Sequence, residues 1–289
     1  MTSIFKALVA AGVVAVAGAA HADIQGPNAG GSFFAANQSE LVFSAWSDSA
    51  EVGFTWDVES AGFLGGIANA TLLNIANVNP RTASTLTGTD TIDAKVSAVN
   101  GVVFDMKITG FDDFLAAAGN PSDIKFNVFA GSTDQVNTFV ASYGNEVGAL
   151  SGGIFQNVGN FFVDYVNNVN QVMAGTNAED NYVITTSADG IAYAGSNAWG
   201  NAALYPGVSF NAALGESIDF NVVYGNSTVA PMAKSLMVDG MSLEVSTYLA
   251  ADGYHMQIAQ VAAVPEPETY AMLLAGLGMI GAIARRRRA

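Results

Sequence analysis

The sequence has no cysteine and only two histidines among its 289 residues. A chain without cysteine has no disulfide framework, no thiolate metal site and no cysteine nucleophile, so its fold depends on its core. His21 lies in an apolar amino-terminal segment, which leaves His255 as the one imidazole for a Ser-His-Asp triad or a zinc site. His255 alternates with Met256 in a strand-like run. This position favours an edge or surface histidine over a catalytic one.

Basic residues are also scarce, with 10 against 25 acidic residues and a formal net charge of −15. Lys6 and the four terminal arginines account for five of the basic residues, and Glu266 and Glu268 for two of the acidic ones. Residues 23–262 therefore hold 5 basic and 23 acidic residues, a net charge of −18. Such a surface repels nucleic acids and anionic lipid. We expect no nucleic-acid partner and a soluble, exported acidic domain.

The amino end has the three parts of a secretory signal peptide. Lys6 gives a short basic region, residues 7–19 are apolar, and Ala20 and Ala22 flank a small-x-small cleavage site. We therefore predict a signal peptide at residues 1–22 and a mature chain that begins at Asp23. The Sec translocon and signal peptidase follow as expected partners.

The carboxyl end is also tripartite. It begins with Pro265, Glu266 and Pro267, and prolines keep a chain out of helix. Residues 270–284 are apolar, and these 15 residues make a helix of roughly 22 Å, short for a bilayer core of about 30 Å. Four arginines follow, which fix this end on the cytoplasmic side: Arg285, Arg286, Arg287 and Arg288.

This tail, residues 263–289, resembles the PEP-CTERM sorting signal of Gram-negative bacteria that make exopolysaccharide. The resemblance implies that an exosortase, a membrane-embedded cysteine transpeptidase, recognises the tail and cuts near the Pro-Glu-Pro motif. The protein would be held briefly in the inner membrane and then delivered to the envelope, surface or extracellular matrix. An ordinary carboxyl-terminal membrane anchor is the alternative.

Between the two ends, period-2 alternation predicts a mainly β, sandwich-like antiparallel domain. An amino-terminal signal helix and a carboxyl-terminal transmembrane helix would flank it. Residues 40–46 and 51–58 predict a first hairpin, and Asn100-Gly101 predicts a second between residues 89–99 and 102–109. Residues 123–130, 182–186, 217–224, 241–249 and 254–261 read as further strands. Steps of three and four predict a helix over 158–173, and residues 111–118 favour a second.

Ligand-binding residues are harder to identify. Trp199 lies in a polar loop and is the best candidate for an exposed aromatic platform that binds sugar. Glu179, Asp180 and Asp189 place carboxylates in two short turns, and hard cations such as calcium take oxygen ligands from such loops. Neither turn has the spacing of an EF-hand, and solvated turns would explain both. No other cofactor is expected.

The sequence therefore favours a non-enzymatic exported protein of the envelope or biofilm matrix. One alternative is a carbohydrate-binding module attached to exopolysaccharide through Trp199. A secreted polysaccharide hydrolase with paired carboxylates is a further alternative. In that case one of three pairs would supply the carboxylates: Asp112 with Asp113, Glu179 with Asp180, or Asp57 with Glu59.

Overall fold

Antiparallel strands build one curled sheet in the computed structural model, which describes residues 24, 41–58, 92–93, 98–131, 138–144, 152–176, 181–201, 210–224 and 232–261. Two α-helices accompany the sheet in these ranges, α1 at Phe111–Ala118 and α2 at Gly152–Thr176. The strands are β1 Val42–Ser47, β2 Val52–Asp57, β3 Ile92–Asp93, β4 Val102–Lys107, β5 Ile124–Gly131, β6 Thr138–Ser142, β7 Tyr182–Thr186, β8 Ala212–Ala213, β9 Ser217–Tyr224, β10 Met232–Val238, β11 Met241–Ala250 and β12 Gly253–Gln260.

The strand order is β4-β12-β11-β10-β9-β6-β5-β1-β2-β7, with β8 beside β5. Every pairing along this path is antiparallel, and the short β3 adds one parallel pairing to β10. Strand β11 also pairs with β9, so the first part of β9 lies beside β11 and its last part lies beside β10. The prediction of a mainly β, antiparallel domain with packed helices is confirmed. The predicted signal and transmembrane helices lie outside the described residues.

The inner face of the curled sheet holds the first core. Strand residues from both ends of the sheet meet here because the sheet curls around α1, which contributes Phe111, Phe114 and Ala118. Phe43 and Phe54 contact Phe111 at ring-centroid distances of 6.0 and 5.2 Å. Each such ring contributes about 1.5–3 kcal/mol when it is fully buried.

The outer face of β1, β5, β6 and β7 forms a second core with α2. The helix buries the residues that the three-and-four spacing predicts, among them Val158, Phe162, Tyr165 and Val169. It runs from Gly152 to Thr176, longer at both ends than the predicted 158–173. No helix in the described part of the chain is both long and apolar enough to cross a membrane. Strand β1 is buried on both faces because a core lies on each side of it.

Elements that local sequence signals predict are present in the structure. The β1–β2 and β11–β12 hairpins and helix α1 are confirmed. Asn100 and Gly101 form a turn with positive φ, but only the bridge from Val99 to Val102 closes it in the described residues. Strand β4 pairs with β12 on one side. Most of residues 89–99 lie outside the described residues, so the second hairpin stays a prediction beyond its turn.

Candidate functional site

Most of the sequence-predicted site residues lie outside the described residues. These are the cleavage residues Ala20 and Ala22, the calcium candidates Glu179 and Asp180, and the residues of the tail: Pro265, Glu266, Pro267, Arg285, Arg286, Arg287 and Arg288. The roles given to them stay predictions. Trp199 and Asp189 are described, and each has a clear structural role.

Trp199 is not the exposed platform that its polar loop suggested. Its side chain is 2% exposed and lies in the outer core. The indole stacks on Tyr165 of α2 with ring centroids 5.1 Å apart and an interplanar angle of 12°, and Phe129 meets it edge-on. The prediction of an exposed sugar-binding ring at Trp199 is therefore wrong, because α2 brings its aromatic residues against the loop.

The stack of Trp199 on Tyr165 belongs to a buried polar network between α2 and the sheet. The Trp199 indole N–H donates to Ser44 Oγ at 3.4 Å, and the Tyr165 hydroxyl donates to the same oxygen at 3.2 Å. Thr55 also hydrogen-bonds the Tyr165 hydroxyl. Burial raises the pKa of Tyr165 to about 12, against the opposing effect of these hydrogen bonds. The phenol stays neutral, which fits a role in fixing α2 on the sheet.

Asp189 caps the 3₁₀ segment Ser187–Ala192. Its Oδ2 accepts hydrogen bonds from the backbone N–H and the hydroxyl of Thr186, at 2.7 and 3.0 Å. This is a capping box, a local stabilising motif. In the ranges that the structure describes, no three His, Asp or Glu side chains converge in an arrangement that could hold a metal ion. Calcium binding at this loop stays a prediction, and Glu179 and Asp180 would have to supply ligands for it.

His255 lies at the centre of a cluster of titratable and polar side chains. Its Nδ1 lies 2.9 Å from Asp105 Oδ1, and its Nε2 lies 3.0 Å from Asp252 Oδ1. The second oxygen of Asp105 accepts hydrogen bonds from the Tyr248 hydroxyl at 2.6 Å and from Gln257 Nε2 at 2.9 Å. These residues come from β4, β11, β12 and the turn between β11 and β12. The histidine therefore links three chain segments.

The alternation around His255 predicts a surface or edge position, but it gives no sign of this cluster. His255 and Gln257 share one face of β12, and Asp105 is exposed to that face only because β4 lies beside β12. The period-2 spacing was visible, whereas the pairing of strands 150 residues apart was not. The cluster contains no described serine or cysteine nucleophile among its contacts, and its hydrogen bonds occupy both ring nitrogens.

The electrostatics of this cluster follow from its geometry. Partial burial lowers the pKa of His255, but the hydrogen bonds to Asp105 and Asp252 outweigh it, so the net shift is upward from 6.5. Burial acts to raise the pKa of Asp105, yet its bonds from Tyr248, His255 and Gln257 lower it below 3.8 overall. Lys107 lies directly opposite His255 across the β4–β12 ladder and pairs with Asp112 at 3.8 Å.

We expect the His255 cluster to make domain stability depend on pH. Because the folded-state pKa of His255 is raised, its contribution is complete below about 6.5 and is lost as pH rises through the folded-state value. His255→Gln should lower the free energy of unfolding by about 1 kcal/mol or less near pH 5, with little effect at pH 9. Urea unfolding at both pH values measures this. Gln257→Ala is the control, because an amide does not titrate and its cost should be similar at both pH values. Equal pH dependence in the native protein and in His255→Gln would contradict the expectation.

The carboxyl end of the described chain is fixed firmly in the sheet. Strand β12 lies between β11 and β4, and its last residue, Gln260, donates its backbone N–H to Gly101 O at 2.7 Å. The Gln260 side chain donates to Val238 O at 2.8 Å. The next residue, Val261, donates to Ser242 O at 2.8 Å. The chain is therefore held up to four residues before Pro265.

Comparison with known proteins identifies one segment. Residues 263–288 match the family model described as the PEP-CTERM protein-sorting motif. The match begins two residues after Val261, the last described residue, which is hydrogen-bonded to Ser242 of the sheet. No curated protein matches the chain, and no solved structure matches its fold.

Proposed function

We propose that this chain, which contains a PEP-CTERM sorting motif at residues 263–288, is a non-enzymatic component of the cell envelope or extracellular matrix. Its motif indicates a protein that exosortase-type machinery processes and sorts to the cell surface. In the proposal, the Sec translocon exports the chain, signal peptidase removes residues 1–22, and the tail holds the domain in the inner membrane until the exosortase cuts it.

The observation that carries the proposal is the short distance between the folded sheet and the motif. Val261 is hydrogen-bonded to β11, and Pro265 follows four residues later. At about 3.5 Å per residue, the motif begins at most ~14 Å from the domain. The predicted membrane span begins at Tyr270, within about 30 Å of Val261 on the same basis. The tail is therefore a short segment that follows a folded domain. This arrangement suits an enzyme that cleaves the tail and releases the domain.

The described carboxylates support a structural role for the domain. Hydrogen bonding by the side chain of Ser49, by Ser49 N at 2.9 Å and by Ser47 Oγ at 2.8 Å lowers the pKa of Asp123 to about 2. Asp112 and Asp113 lie in the first turn of α1, where they complement the helix dipole. Each of these carboxylates stabilises a local turn or helix end.

The two alternatives receive no comparable support. The carbohydrate-binding alternative depended on an exposed Trp199, and that ring is buried. The hydrolase alternative needs two carboxylates across an open cleft. One of its candidate pairs includes Asp57, which is fully buried, together with Glu59, which lies outside the described residues. An association with exopolysaccharide remains part of the proposal. Its support is the resemblance of the tail to PEP-CTERM sorting signals alone.

The proposal predicts the covalent ends and location of the native protein. In the host we expect a chain that starts at Asp23 and ends close to Pro267, found outside the inner membrane. Deletion of the exosortase should leave a full-length tail in the inner-membrane fraction. Intact mass and membrane fractionation of both strains measure this.

A chain with Arg285 to Arg288 intact in the membrane of both strains would show that the tail is a plain anchor. Pro265→Ala with Pro267→Ala is the matched variant in the wild-type host. It leaves the span and the arginines unchanged, so its retention in the membrane would assign recognition to the motif itself.

A further inference from the structure

Ile24, the second residue of the predicted mature chain, is built into the outer core. Its side chain is 1% exposed and belongs to the cluster that α2 forms with the sheet. The side-chain amide of Asn170 on α2 hydrogen-bonds both the backbone N–H and the backbone carbonyl of Ile24. Ile24 N donates to Asn170 Oδ1 at 3.0 Å, and Asn170 Nδ2 donates to Ile24 O at 2.7 Å.

Asparagine is suited to this contact because its amide carries both a carbonyl acceptor and N–H donors. These are the two kinds of group that the backbone of a neighbouring strand would offer. A helix has no free backbone groups along its length, so only a side chain can pair with a passing segment in this way. One residue thus satisfies both backbone groups of Ile24, which would be costly to bury without partners. We call Asn170 and the outer-core surface around it the Ile24 seat.

We infer that the Ile24 seat sets the order of processing at the amino end: signal peptidase cuts before Ile24 docks, and docking then protects the new terminus. The inference rests on the signal peptide of the proposed function. The Ala22–Asp23 bond is two residues from Ile24, at most ~7 Å along an extended chain. Proteolysis requires a segment that is open and accessible, so a docked Ile24 and a bound protease exclude each other.

The chemistry itself is ordinary hydrolysis. Water adds across the Ala22–Asp23 bond, which gives a carboxylate at Ala22 and a new α-amino group at Asp23. Before the cut, docking of Ile24 would draw the uncleaved signal peptide against the domain surface. After the cut, the same docking leaves only Asp23 ahead of a buried residue, so an exopeptidase meets a barrier at the second position.

Trimming by a nonspecific aminopeptidase tests the protective half. The chain beginning at Asp23 should lose at most Asp23, whereas Asn170→Ala should be trimmed past Ile24 roughly tenfold faster because the open form is more populated. Intact mass follows the reaction. Asn168→Ala is the matched control, since Asn168 lies on the same helix and its amide donates to Asp164 O at 2.7 Å. It should be trimmed like the native chain.

Equal trimming of the native chain and Asn170→Ala, or rapid loss of Ile24 from the native chain, would overturn the inference. Should Asn170→Ala lose cooperative unfolding, Ile24→Ala decides instead. That variant keeps the backbone bonds but removes buried side-chain volume, and it should also be trimmed faster than Asn168→Ala. Native-like trimming of Ile24→Ala would equally overturn the inference.

The order of events is tested with the full-length precursor in detergent. Signal peptidase should cut the folded native precursor at least about tenfold more slowly than the folded Asn170→Ala precursor, while both are cut alike when urea-unfolded. Equal rates for the folded precursors would refute the proposed order. A precursor that is not cut at Ala22–Asp23 even when unfolded would instead refute the signal-peptide part of the proposed function, and the trimming result would stand independently.

Discussion

Replacement of Trp199 by alanine is expected to lower the free energy of unfolding by about 3–5 kcal/mol. The indole is buried against Tyr165, Phe129 and Phe162, with ring centroids 5.1 to 5.3 Å away. Its removal would leave a cavity between α2 and the sheet and would remove a hydrogen bond to Ser44. The midpoint of thermal unfolding should fall by roughly 6–20 °C, which differential scanning fluorimetry or calorimetry would measure.

The matched control is Leu249→Ala, since Leu249 is 68% exposed at the end of β11. It should change stability by no more than about 0.5 kcal/mol. A Trp199→Ala protein as stable as the control would mean that the ring is exposed after all. This comparison also separates the two interpretations of Trp199, because loss of a surface platform would remove binding without lowering the unfolding temperature.

Gly200→Ala is expected to lower the free energy of unfolding by about 2–3 kcal/mol. A methyl group at this position would lie 2.4 Å from Ala194 O and 2.8 Å from the Trp46 ring. Neither neighbour can move easily, because Ala194 O accepts the Gly200 N–H at 3.0 Å and Trp46 of β1 is fully buried. The glycine is needed here for close approach of the loop to the indole. Urea unfolding of the purified protein measures the loss.

Gly175→Ala is the control of opposite sign. Gly175 lies in the last turn of α2, and nothing lies within 4 Å of an added methyl group. Alanine restricts the unfolded chain and favours helix, so stability should rise by about 0.5 kcal/mol. Equal effects of the two substitutions would show that the loop has room above Trp46 and that the packing described there is wrong.

Parts of this molecule were predictable because their signals are local. The alternation of Phe54 and Trp56 identifies β2, and the spacing of Phe162, Tyr165 and Val169 identifies α2. The sorting tail was predictable for the same reason, as motif, span and arginines follow one another along the chain. Strand β10 was missed because Lys234 and Ser235 interrupt the alternation that Leu236 and Val238 would otherwise show.

The surroundings of single residues could not be predicted. Trp199 has polar neighbours in sequence, and only the packing of α2 across its loop decides that it is buried. Asn170 is one of several asparagines on α2, and its pairing with Ile24 spans 146 positions. His255 likewise acquires Asp105 from a strand 150 positions away. Composition and periodicity contain no information about contacts of that separation.

The position of β12 also has a consequence for the timing of folding. Strand β4, at residues 102–107, pairs with a strand that ends at residue 260, so this end of the sheet depends on contacts of very large sequence separation. Folding through such contacts is slow, because the chain must form large loops before the contact is made. During synthesis, β12 emerges just before the tail. We therefore expect the chain to remain unfolded, and competent for translocation, until the sorting motif at residues 263–288 has also been made.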